Sequence, residues 1–108
     1  MGNSRQNPDN STTPKVLLDG FIPLLYVQQV NQTGSEGLPS LPANARMALI
    51  SASVATGRWI ADGQVPTATF GMPLTPGQEF QYVADREGGL SVVLICGAGT
   101  TWDIHYFR

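Results

Sequence analysis

The chain has 108 residues, a formal net charge of -2 and 13% charged residues. That is room for one small domain, and the charge fraction is well below the roughly 25% of ordinary soluble domains. No basic excess is present to neutralise a phosphate backbone, so direct nucleic-acid binding is not expected. A single cysteine, Cys96, and a single histidine, His105, exclude an intrachain disulfide, a cysteine-based zinc cluster and a two-histidine metal motif. No apolar run approaches the 18 or so residues of a helical membrane span, and the first residues carry no apolar signal core, so no membrane partner is expected.

Residues 1–14 contain no Leu, Ile, Val, Phe, Trp or Tyr. Such a stretch buries too little apolar surface to offset the entropy of ordering it. Two short apolar runs follow, Val16-Leu17-Leu18 and Phe21-Ile22-Pro23-Leu24-Leu25-Tyr26, interrupted by Gly20 and Pro23. Five of the eight prolines fall in the first 45 residues. Proline fixes φ and removes a backbone donor, which suits extended chain. Residues 1–45 therefore read as an extended N-terminal arm whose apolar anchors, in residues 15–30, dock on a partner. Residues 27–32 leave room for a short helix.

From residue 46 the pattern is that of short strands. Arg46 to Ala52 is a strand-length apolar run, Arg58 to Ala61 is a second, and Asp62-Gly63 is a turn dipeptide. Pro66 to Phe70 is β-branched and aromatic, which predicts a third strand. Thr75-Pro76-Gly77-Gln78 predicts a turn. Phe80 and Tyr82 alternate with polar neighbours. Leu90 to Cys96 is almost wholly apolar and reads as a central strand buried on both faces. Gly97-Ala98-Gly99 predicts a hairpin turn, and Trp102, Ile104 and Tyr106 then alternate with polar residues. Seven of nine aromatic residues lie after residue 45. Five or six strands at such spacing predict an all-β fold, an antiparallel β-sandwich or jelly roll over residues 46–108, carrying the extended arm.

No catalytic constellation accompanies this pattern. Asp103 and His105 share a strand face, yet Ser51 and Ser91 lack a nucleophile elbow. Gly97-Ala98-Gly99-Thr100 lacks the lysine and helix of a phosphate loop. Cys96 has no charged sequence neighbour and reads as a small buried filler. Asp62, Asp85, Glu87 and Asp103 match no calcium-loop spacing. No enzyme activity and no cofactor are expected. Trp59 beside Arg58 reads as core or interface ahead of a sugar-stacking platform.

The stretch from Arg58 through Leu74, with Arg-Trp, then Asp62-Gly63, Pro66-Thr67, Gly71 and the Thr75-Pro76-Gly77 turn, resembles small β-domain structural proteins of tailed bacteriophages. Leu49-Ile50-Ser51-Ala52, Phe80-Gln81-Tyr82 and Asp103-Ile104-His105-Tyr106 fit the same frame. The resemblance covers about residues 46–107 and leaves the arm uncovered. It implies an oligomerising β-sandwich on the virion, of the capsid cement (decoration) type. Such a protein sits on the capsid exterior and bridges major capsid protein subunits. The expected partners are therefore the major capsid protein and the chain itself, as homodimer or homotrimer. Val16, Leu17, Leu18, Phe21, Ile22, Leu24, Leu25 and Tyr26 are the expected anchors, with Arg58 and Trp59 as a structural contact near the Asp62-Gly63 turn. The alternative is a head-fibre or tail-associated module that binds a receptor glycan.

Overall fold

A computed structural model describes residues 20–108. Six strands form one antiparallel sheet: β1 (Pro23–Gly37), β2 (Met47–Ser53), β3 (Gly57–Ile60), β4 (Met72–Leu74), β5 (Glu79–Val83) and β6 (Leu94–Phe107). The fold is all-β, as the spacing of apolar runs and turns requires. β6 is the organiser. One of its edges is shared, β2 pairing with Thr101–Phe107 and β3 with Leu94–Cys96, while β1 runs along the other edge. β5 and β4 then extend the two halves outward from β2 and β3.

The long strands bend in their middles. β1 carries register irregularities between Gln29 and Thr33, with Asn31 at φ 54°, opposite Gly97–Thr100 of β6. Gly97 allows the close approach there, because a Cβ on it would lie 2.6 Å from the Gln32 carbonyl oxygen. The bend brings the two halves of the curled sheet together: Trp59 of β3 stacks on Phe80 of β5 at 4.2 Å between ring centroids and 14° between planes.

Between the halves lies an apolar cluster. Ala48, Ile50 and Ala52 of β2 meet Ile95, Trp102, Ile104 and Tyr106 of β6, with Leu90 and Val93 closing one end. Trp102, Ile104, Tyr106, Ile50, Leu90 and Ile95 are fully buried. Each contributes on the order of 1.5–3 kcal/mol of apolar transfer. The Tyr106 hydroxyl donates to the Pro39 carbonyl at 2.6 Å, so the only polar atom of that side chain is satisfied.

Residues 23–37 are strand β1 in the sheet of their own chain, and turns at residues 39–40 and 43–44 lead on to β2. β1 pairs with β6 over nearly its whole length, and Leu38 and Ala45 are buried, with Leu24, Val27 and Leu41 packed against the cluster. The packed unit thus includes residues well before 46. Composition signals extended chain with apolar anchors; it carries no information on whether the surface that receives them is in cis or in trans. Residues 27–32 are strand and not helix.

Three further expectations are corrected. Thr67 and Phe70 exchange backbone hydrogen bonds at 2.8 and 3.4 Å, and Thr67 Oγ1 accepts from the Thr69 amide at 3.2 Å. Residues 66–70 therefore close as a tight turn, and the short strand β4 follows them. Local side-chain-to-backbone bonding outcompetes β-propensity here. Gly89–Val92 forms one 3₁₀ turn, so the apolar run enters β6 only at Leu94. Gly97–Gly99 is a bend within β6 and not a hairpin, because β1 pairs with the strand through it while β3 holds the segment before it and β2 the segment after. The Thr75–Gln78 turn forms as expected, closed by Gln78 N–H to the Thr75 carbonyl at 3.0 Å, with Gly77 at φ 90°.

Candidate functional site: two exposed surfaces

Two surfaces concentrate the side chains that chemistry or recognition can use. The first is a shallow groove between β3, β4 and the connection 61–71. Trp59, Ile60, Phe70 and Met72 line it, with Asp62 and Gln64 at its polar rim, and its volume is about 530 Å³. Phe70 is 51% and Met72 58% exposed, an apolar display that no described element covers.

Arg58 builds this groove from behind. Its Nε donates to the Ala68 carbonyl at 3.0 Å and its guanidinium Nη1 to the Gly71 carbonyl at 2.8 Å. The planar fork thereby pins both ends of the segment that carries Phe70. Asp62 holds the other flank by accepting the Gln64 backbone N–H at 3.0 Å and its side-chain amide at 2.7 Å. Those two bonds stabilise the carboxylate and keep the Asp62 carboxyl below its ordinary range. Ser35 of β1 donates to the Pro66 carbonyl, tying the loop to the far strand.

The second surface is the outer face of the β5-β2-β6-β1 half. Its cross-strand pairs are Tyr26 with His105 and Gln28 with Asp103 on β1–β6, and Leu49 with His105 and Ser51 with Asp103 on β2–β6. The Tyr26 hydroxyl and the Gln28 amide, at 3.0 Å, both donate to Asp103 Oδ1. The hydrogen bond to a carboxylate favours the protonated phenol, so the Tyr26 hydroxyl titrates above its ordinary value, with burial and the negative charge of Asp103 adding in the same direction. His105 stacks on Phe107 at 4.6 Å and meets Tyr26 edge-on at 6.2 Å. Tyr26, Leu49, Ser51, Glu79, Asp103 and His105 enclose a depression of about 170 Å³.

Asp103 and His105 do share a face, as alternation requires. Asp103 spends its contacts on Tyr26 and Gln28, and among the described residues no hydrogen bond links Ser51, Asp103 and His105 into a relay. Cys96 is buried and forms no disulfide among the described residues. Among the described residues no cluster of three His, Cys, Asp or Glu is close enough to hold a metal ion.

The sequence-derived anchors divide by environment. Val16, Leu17 and Leu18 lie outside the described residues. Leu24 packs on the core, and Phe21 is half-buried beneath Arg46, whose guanidinium carbon is 5.9 Å from the ring centroid. Ile22, Leu25 and Tyr26 remain 51%, 40% and 55% exposed. Trp59 is half-buried in its stack with Phe80 and offers only one flank to the groove. Sequence reasoning missed Phe70, Met72 and Val30. Phe70 and Met72 sit beside Gly71, whose φ of 128° reverses the chain and turns them outward. Comparison with protein-family models, with curated proteins and with solved structures finds no match.

Proposed function

We propose that the chain is a non-enzymatic structural protein of a tailed-bacteriophage virion, a capsid cement protein that sits on the outside of the head and bridges major capsid protein subunits. The observation that carries this reading is the surface itself. A chain with only 13% charged residues displays Ile22, Leu25, Tyr26, Val30, Val65, Phe70 and Met72 to solvent. Phe70 and Met72 gather at one groove, and an apolar patch of that kind suits contact with other protein. Many weak contacts of this kind become strong together once neighbouring copies are bound, because each later contact is intramolecular. The bacteriophage resemblance of residues 46–107 supplies the class of partner.

The test uses heads from a phage deleted for the protein. Adding the purified chain is expected to give saturable co-sedimentation at a fixed ratio of copies to capsid subunits and to raise the temperature at which the heads release DNA. Heads that bind no chain, or bind it without gaining heat resistance, would refute the reading.

A head-fibre or tail-associated glycan-binding module is the second reading, favoured by one observation. Phe70 and the open flank of Trp59 line a groove whose rim carries Asp62 and Gln64, an apolar platform beside hydrogen-bonding groups. Saturable binding on a glycan array, lost in Phe70→Ala, would move the assignment there.

A further inference from the structure

The sheet leaves three strand edges unpaired among the described residues, on β1, β4 and β5. β4 has three residues and β5 five; β1 has fifteen. Which backbone groups β1 presents outward follows from the hydrogen bonds of its neighbours. Ala52 bonds Gln78 and Gly77 on the β5 side, and Arg46 accepts from Ala84 there. Even-numbered residues of β2 therefore face β5, and Leu49 and Ser51 face β6, opposite His105 and Asp103. The even-numbered residues Trp102, Ile104 and Tyr106 must then turn their amides toward β1. Arg108 obeys the same parity, exchanging both backbone bonds with Ile22 at 2.8 and 2.9 Å. Their partners Gln29, Val27 and Leu25 are used up by β6. Tyr26 and Gln28, between them, aim their N–H and C=O groups at the free edge.

On this edge the usual guards flank the run from Leu25 to Gln29 and do not interrupt it. Natural edge strands carry lysines, prolines or bulges that discourage pairing. Between residues 20 and 45 the one charged residue is Glu36. Pro23 and the register shifts flank the run from Leu25 to Gln29, and the run itself pairs in unbroken register. Leu24 to Val30 is an uncharged, proline-free window of strand-forming residues.

We infer that this edge pairs antiparallel with the same edge of a second copy. A two-fold axis at Val27 sets Tyr26 of each chain opposite Gln28 of the other. All four outward-facing residues of the pair are then bonded at once, with four hydrogen bonds. An axis at Tyr26 would bond Tyr26 to itself and send Gln28 against the irregular residue Leu24. The Val27 arrangement also brings Val30 beside Leu24 and Leu25 beside Gln29 across the junction, covering apolar surface. It is isologous and closed, so it stops at two chains, whereas an unguarded edge of unlike partners would grow. The pairing needs no shell and stands apart from the capsid reading.

The test is on the full chain in solution. Light scattering after size exclusion is expected to show the mass rising from 11.6 kDa to twice that with concentration. Gln28→Pro removes an outward N–H that the chain's own sheet does not use, so circular dichroism should stay β-rich while the dimer dissociation constant rises roughly ten-fold or more. Gln28→Ala keeps that N–H and should still dimerise. Gln28→Lys sets a charge at the junction and should weaken pairing without altering the fold. Amide exchange at Tyr26 and Gln28 should slow as concentration rises. A monomer at every concentration would overturn the inference. So would a trimer, equal dimerisation by Gln28→Pro, or concentration-independent protection of both amides in a monomer, which would assign the edge to the chain's own N-terminal residues.

Discussion

Gly57 stands where β3 crosses over the buried indole of Trp102. A Cβ on Gly57 would lie 2.5 Å from Trp102 Cη2, closer still to Cζ2, and 3.3 Å from the Cys96 carbonyl oxygen. Those atoms belong to a rigid ring that is fully buried and to backbone, so neither can swing aside. Gly57→Ala therefore overpacks the core, which costs about 1–3 kcal/mol. Lower chain entropy in the unfolded state works the other way, by only about 0.4–1 kcal/mol. The clash wins, and the melting temperature should fall by roughly 5–15 °C for a domain of this size. Thermal and urea denaturation measure it. The sharper assay is the double-mutant cycle with Trp102→Phe, which deletes the part of the indole in the way. Trp102→Phe alone leaves a cavity and destabilises by a comparable amount. Together the two changes should cost less than their sum by about 1 kcal/mol or more. A neutral Gly57→Ala, or strictly additive effects, would refute the placement of β3 over β6.

Gln32 is 5% exposed and neither amide atom finds a partner among the described residues; Gln32→Leu should stabilise the fold by about 1–2 kcal/mol in urea denaturation. Arg58→Ala frees the Ala68 and Gly71 carbonyls, so amide exchange and proteolysis across residues 62–71 should accelerate while β2 and β6 stay protected. The phenols of Tyr26 and Tyr106 both titrate above their ordinary value, Tyr26 through its bond to Asp103 and Tyr106 through burial. The folded state therefore holds these protons more tightly than the unfolded chain. Their contribution is complete below pH ~10 and is lost as pH rises through the folded-state values. Alkaline unfolding, followed by tyrosinate absorbance and circular dichroism, should start near pH 10 and be shifted upward relative to its neutral-pH stability in Tyr106→Phe. That variant also loses the bond to Pro39, about 1 kcal/mol at neutral pH.

Where one face of a strand is buried and the other is wet, the sequence was readable. Trp102, Ile104 and Tyr106 alternate because one side of β6 meets the cluster and the other meets Asp103 and His105. Phe80 and Tyr82 on β5 follow the same rule. The Pro76-Gly77 turn was legible because a residue at φ 90° needs glycine. Legibility failed where tertiary pairing overrides local chemistry. Gly97-Ala98-Gly99 has the composition of a hairpin turn, yet β1 pairs with the strand through it, while β3 and β2 hold the segments before and after it. Pro66 to Phe70 has strand propensity, yet the exchange between Thr67 and Phe70 closes a turn first. Of the surfaces, Tyr26 and Trp59 could be singled out as large apolar residues in short runs. That Arg58 spends its guanidinium on two loop carbonyls could not, since nothing local marks Ala68 and Gly71 as acceptors. The free edge of β1 was hidden for a related reason: an edge is defined by the strand that is missing beside it.

We propose that the exposed apolar surface of this chain seats neighbouring protein on a phage head. A reconstruction of virions carrying the chain tests it most directly. The expected density is the curled six-stranded sheet at regularly repeated sites on the outer shell, touching more than one major capsid subunit per copy. Density for the sheet confined to the tail or to fibres, or a shell with no such density, would contradict it.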